Sequence, residues 1–316
     1  MISIFQRRRL VPDAHPAFAG LQASPVTLSD GRTRAAVHLR GDFGPGRMPL
    51  VGLAGYHRNM SDFTAFADYF QRLGGGGWPL VLIDLPGRGR ADDRPKSTLY
   101  STLSDARDVA DILAALGIGR AVILGQGHGG QVAMALGTRH PLIVRGVILL
   151  DAGPVTDSRG IVRLRNNLAH IHGLRGSKAV AGGFRRMLGG DYPGHGEAEL
   201  DALALRSHWF DKRGRARALF DERLIEQIKD IGFDDVLTPQ WPLYDALKAI
   251  PLMLLRTQLT DQVRRETFEE MVRRRPDAVA MTIAGQGSPA LFDDPAEIEA
   301  IADFVFSVGK GRRRAA

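Results

Sequence analysis

The feature that most constrains this chain is a recurrence of short, uninterrupted apolar runs, each followed by a helical pattern. PLVGLAG (49–55), PLVLID (79–84), RAVILG (120–125) and VRGVILLD (144–151) lack the alternation of a strand with one wet face. Strands buried on both sides read this way, because helices cover both faces of a parallel sheet. Between them lie amphipathic patterns: Phe63, Phe66, Phe70 and Leu73 at helical spacing with Ser61 or Asp62 as the cap, LSDARDVADILAALG (103–117), and GGQVAMALGTRH (129–140). Ahead of them, SPVTLS (24–29) and RTRAAVHLR (32–40) flank Asp30-Gly31, a hairpin signal.

The rhythm breaks after residue 154. Residues 155–247 read as helical and irregular, with GIVRLRNNLAHIH, KAVAGGFRRML and DERLIEQIKD as helices. Alternation resumes with IPLMLLR (250–256), a helix over 263–274, AVAMTIA (278–284) and a helix over 295–307. The expected organisation is an α/β core over 1–154 and 248–316 interrupted by a helical insertion over 155–247. At roughly ninety residues that insertion is long for a connection and therefore functional.

RAVILGQGHGGQVAMALG is strand, tight turn and helix, and resembles the nucleophile elbow of the α/β-hydrolase fold, in which a G-x-S-x-G turn lifts a serine above the sheet. Gly125 and Gly129 match the two glycines, and Gly130 continues them. LAGYHRN (53–59) resembles the glycine turn whose backbone, at Tyr56, supplies an oxyanion-hole N–H. DLPGRG (84–89) resembles the family's D-x-x-G-x-G turn. WPLYDAL (241–247) and IPLMLLRTQLTDQ resemble the end of the cap and the strand whose loop carries the triad acid, and GQGSP (285–289) the segment that usually reads G-x-G-H-x-P. The resemblance spans nearly the whole chain. It implies a mostly parallel eight-stranded sheet, with 155–247 as a lid in the manner of capped esterases and lipases.

The chemistry that the resemblance implies is incomplete. Acyl transfer needs a hydroxyl nucleophile, an imidazole base and an orienting carboxylate. The nucleophile position holds Gly127, the histidine position holds Ser288, and Asp261 alone matches, as the acid. The last of the nine histidines is His208, before the acid strand begins. A degenerate triad on an intact scaffold points to a pseudoenzyme that binds a small apolar or anionic ligand, or a protein partner such as an active paralogue. The alternative is a hydrolase or lyase in which His128 or His57, on either side of the oxyanion hole, activates water. A third reading is a structural subunit acting through a dimer surface. Tyr56, Gln126 and His128 are the expected ligand-binding residues, and the cap lining is expected among Phe184, Met187, Trp209, Phe210, Phe220 and Trp241.

Other classes fall away. With no cysteine, disulfides, thiolate metal sites and iron–sulfur clusters are excluded. His170 and His172 fall on different helical faces, so no metal is expected, and Gly125, Gly127 and Gly130 only loosely match a dinucleotide turn; no cofactor is expected. Asp92 and Asp93 read as a solvated loop. The net charge of +7 is matched by Arg7, Arg8, Arg9, Lys310, Arg312, Arg313 and Arg314 in tails without acids. A nucleic-acid-binding body is not expected, because its basic surface would lie on the fold. The tails are expected to be solvated, with weak attachment to an anionic surface as the sharper reading. The opening MISIFQRRRL has no signal-peptide core and no run suits a bilayer span, so a cytoplasmic protein is expected.

Overall fold

The computed structural model describes residues 9–44 and 46–309. The apolar runs become the strands of one eight-stranded sheet. In chain order they are β1 (Ser24–Thr27), β2 (Arg34–Arg40), β3 (Leu50–Leu53), β4 (Leu80–Asp84), β5 (Ala121–Gln126), β6 (Val144–Leu150), β9 (Leu252–Thr257) and β10 (Val279–Ile283). Their spatial order is β1-β2-β4-β3-β5-β6-β9-β10. The β1–β2 hairpin pairs antiparallel in register Val26↔Ala35, and β2 runs antiparallel to β4. Every other pairing is parallel. Every residue of β3, β4 and β5 is buried, which is why these segments carry no polar alternation.

Helices α1 (Thr64–Phe70), α2 (Thr102–Ala115), α3 (His128–Arg139), α9 (Arg265–Arg274) and α10 (Pro295–Gly309) cover the sheet. One core joins Ile123, Val147 and Leu254 to Val109, Leu113 and Leu136. The opposite core joins Val122, Ile148 and Met253 to Phe66, Phe70, Ile301 and Val305. The turn into α1 is capped by Asn59, whose side chain accepts the Ser61 N–H, so neither Ser61 nor Asp62 is the cap. Asp62 is buried against Arg58 instead.

Between β6 and β9 stand α4 (Ser158–Gly173), α5 (Ser177–Gly189), α6 (Glu197–Leu205), a small antiparallel pair β7 (His208–Phe210) and β8 (Ala216–Ala218), and the short helices α7 (Arg223–Glu226) and α8 (Trp241–Asp245). Two expectations for this stretch are corrected. The β7–β8 pair was not anticipated, and the helix expected over 221–230 shrinks to α7, beyond which the Gln227 side chain pairs with the Tyr100 backbone and Arg165 takes the carbonyls of Ile228, Lys229 and Ile231. Arg9 is not a solvated tail residue either. Its guanidinium donates to the carbonyls of Gly87, Ala91 and Leu219 and lies 3.4 Å from Asp93. Asp93 is thereby engaged, and Asp92 pairs with Arg34, so neither forms a solvated loop. The other basic tail residues lie outside the described residues. Among the described residues no helix is long and apolar enough to cross a membrane.

Candidate functional site

The turn between β5 and α3 is tight because three glycines let helix and strand touch. A Cβ at Gly125 would lie 2.3 Å from the Gly129 carbonyl oxygen, at Gly129 2.2 Å from that of Leu53, and at Gly130 2.2 Å from the Ala152 Cβ. At the tip, Gly127 adopts φ 52°, ψ −116°, a region L side chains rarely adopt. Here space is not the constraint: a Cβ would meet only the Gly55 Cα, at 3.8 Å. His128 opens α3, so its N–H belongs to the unpaired first turn of a helix, a natural anion site.

The His128 imidazole is held from behind. Its Nε2 lies 2.8 Å from Asp105 Oδ2, on the buried face of α2. Asp105 also receives Arg88 at 3.0 Å and Arg94 at 2.8 Å. These guanidinium groups and the His128 hydrogen bond overcome its burial and hold the carboxyl well below the usual range. An ionised carboxylate only accepts, so the proton between them sits on Nε2, and the tautomer with a proton there alone has its lone pair on Nδ1. Arg88 donates Nε–H to the Tyr56 carbonyl at 2.8 Å and lies against the Tyr56 and Tyr100 rings. Tyr56 in turn meets His128 edge-on, with centroids 5.3 Å apart, and its hydroxyl donates to the Leu224 carbonyl.

Two adjoining cavities meet over this turn and share Tyr56, Gly127, His128, Gly160, Leu164 and Gln262. The larger, ≈ 260 Å³, is mainly apolar, with Val155, Ile161, Ile228, Leu237 and Val263 on its walls. The smaller, ≈ 110 Å³, has a similarly apolar surface, with His57, Arg58, Arg163, Asp191 and Ser288 set among Leu164, Met187 and Leu188. His57 packs edge-on against Phe220, and burial together with Arg58 and Arg88 pushes its imidazole down to about 3, so it stays neutral.

Ser288 is a neighbour of Asp151, a residue just after β6 that sequence reasoning passed over, and helps to hold its carboxyl down. The Asp151 carboxylate accepts from the Thr257 N–H and hydroxyl, each at 2.7 Å, yet burial still raises it to about 6. Asp261, the expected acid, turns instead to Arg163 at 2.5 Å, and its neighbours Gln262 and Val263 face the larger cavity. Of the expected lid residues, Met187 borders the smaller cavity, Phe184 and Phe220 are buried against His208, Trp209 and Phe210 lie on β7, and Trp241 stacks under Arg274 at 3.9 Å. His172 faces His208, Nε2 to Nε2 at 3.1 Å. The signal for Asp105 was available: it and Asp108 share the apolar face of α2, where a carboxylate needs a partner.

A family profile, described as the alpha/beta hydrolase family, matches residues 43–301. The chain belongs to that family. This alpha/beta hydrolase is 24% identical over 277 residues to a 3-hydroxybutyrate-oligomer hydrolase of Cupriavidus necator, covering 85% of this chain and 91% of the relative. It is 29% identical over 149 residues to a 2-hydroxy-6-oxononadienedioate/2-hydroxy-6-oxononatrienedioate hydrolase of Paraburkholderia phymatum, covering 47% of this chain. That match spans about half the relative's length, 51%. Among solved structures, an alpha/beta hydrolase of Novosphingobium aromaticivorans superposes with a TM-score of 0.77 at 27% identity, covering 90% of this chain and 98% of the other.

Proposed function

We propose that this chain hydrolyses, or cleaves as a lyase, a small carbonyl compound without forming an acyl-enzyme, with His128 as general base. The observation that carries the reading is the hydrogen bond from His128 Nε2 to a buried, ionised Asp105 at the rim of an open cavity. Gly127 leaves room for water where a serine hydroxyl would stand. Nδ1 of His128 takes a proton as the water oxygen attacks the carbonyl carbon. The N–H groups of Tyr56 and His128 receive the developing oxyanion, and the imidazolium returns its proton to the leaving group as the tetrahedral adduct collapses. In this reading residues 155–247 act as the cap that sets substrate size, and the family's named hydrolases support a carbonyl substrate.

A second reading has its own observation. Gly127 carries no nucleophile, and the position that would hold the base is Ser288, on the wall of the smaller cavity, as in a binding protein with a degenerate triad that holds a ligand or works beside a second copy or an active paralogue. Turnover of short-chain aryl esters separates the two. The wild type is expected to exceed buffer, and His128→Ala to lose about a hundredfold or more, the usual worth of a general base. A silent wild type beside an active Gly127→Ser, Ser288→His double variant would support the second reading and overturn the first.

A further inference from the structure

A groove of ≈ 710 Å³ runs between α4 and the segment that leads from β9 into α9, and it adjoins the smaller cavity at Gly160, Arg163 and Asn167. Five arginines line it, Arg159, Arg163, Arg256, Arg264 and Arg265, against three carboxylates, Asp157, Asp261 and Glu266. We propose that this groove binds a phosphomonoester, its phosphoryl dianion held by the guanidinium groups of Arg159, Arg264 and Arg265.

The pairing inside the groove leaves this charge open. Arg159 and Arg264 share one carboxylate, each setting Nε and Nη2 on Asp157 at distances between 2.6 and 3.2 Å. Two cations on one anion leave a positive charge over, and the Nη1 groups of both remain to donate. A ligand can reach them, because the two side chains are 47% and 52% exposed. Arg265, exposed in the first turn of α9, forms no ion pair among the described residues. Arg256 is held by the carbonyls of Val263 and Gln258. Arg163 is the compensated member, bound to Asp261 and, on the side of the smaller cavity, to Asp191. The lining thus carries two more positive than negative charges, which a dianion offsets and a monoanion leaves half unanswered. A phosphoryl group also presents three oxygens to guanidinium groups on different elements, whereas a planar carboxylate is filled by one fork. Phe233, 56% exposed on the same wall, gives the organic part of the ester a ring to lie against.

The test is calorimetric titration at about pH 8 with phenyl phosphate, a dianion there, and its monoanionic isostere phenyl sulfate. The wild type is expected to bind the phosphate at least about tenfold more tightly than the sulfate, and the Arg159→Ala, Arg265→Ala double variant to lose that preference. Asp157 keeps Arg264 in the double variant, so its melting midpoint is expected to stay close to that of the wild type. Arg265→Ala alone, which breaks no ion pair among the described residues, is the second variant should the double one fail to fold, and it is expected to weaken the phosphate selectively. A wild-type ratio of about one, a preference retained in both variants, or no binding of phenyl phosphate would overturn the site. Flotation with vesicles containing phosphatidic acid runs alongside: binding to them without binding of phenyl phosphate would assign the arginines to a lipid headgroup and overturn the proposal for a soluble ester. Neither Gly127 nor His128 lines the groove, so the outcome is independent of ester turnover in His128→Ala.

Discussion

Gly127 and Asp105 are the two residues whose replacement separates backbone strain from charge. The Gly127 conformation disfavours any side chain, but the space above it is open. Gly127→Ser is therefore expected to fold with a loss of about 1–2 kcal/mol in urea unfolding, the cost of a strained φ rather than of a clash. Asp105 is the opposite case. It offsets Arg88 and Arg94 in the interior, both less than a tenth exposed at the side chain. Asp105→Asn leaves those cations undercompensated, and a loss of about 3–5 kcal/mol is expected in the same measurement. An Asp105→Asn variant as stable as the wild type would show that the cluster contributes little to the fold. Ester turnover in that variant should fall as it does in His128→Ala, because an amide can donate as well as accept and no longer fixes the tautomer of the ring.

At the scale of elements, the strand–turn–helix unit from β5 to α3 is where sequence and structure agree most closely, and for a steric reason. Gly125, Gly129 and Gly130 are spaced for a helix lying directly on a strand end, and each hypothetical Cβ there lies within about 2.3 Å of a neighbour. Gly129→Ala sets a methyl against backbone of β3, which cannot rotate away, and should cost about 3 kcal/mol in thermal unfolding. A change below half of that would mean that α3 can lift from the sheet. The apolar strands were legible because full burial on both faces leaves no other pattern. The β7–β8 pair was not, since three residues per strand are too few to show a period. The partners at the site were the least legible. Asp105 meets His128 and Asp151 meets Ser288 only because β5, β6, α2 and the loop after β10 converge, and no local spacing carries that. Asp261 matched by position alone, and Arg163, from the distant α4, draws it aside.

At the scale of the whole molecule, the buried titratable groups give the pH dependence opposing slopes. Asp151 is raised to about 6 by burial. Its folded value exceeds its unfolded one, so the stability it contributes is complete below the usual carboxylate range and is lost as pH rises through about 6. Asp151→Asn should therefore melt above the wild type in neutral buffer, by up to ~3 kcal/mol, with the gap closing towards pH ~4. His57 works in the other direction. It is held near 3, below its unfolded value, so its contribution is present above pH ~6.5 and drains as pH falls towards 3. His208, on β7, adds to the same slope, because burial, with His172, His57 and Arg58 beside it, lowers it as well. His57→Phe, which keeps the edge contact with Phe220, should flatten the fall of the melting midpoint between pH ~6.5 and ~4. A wild-type midpoint that stays level over that range, or a His57→Phe slope equal to the wild type's, would show that His57 is not among the groups setting acid stability.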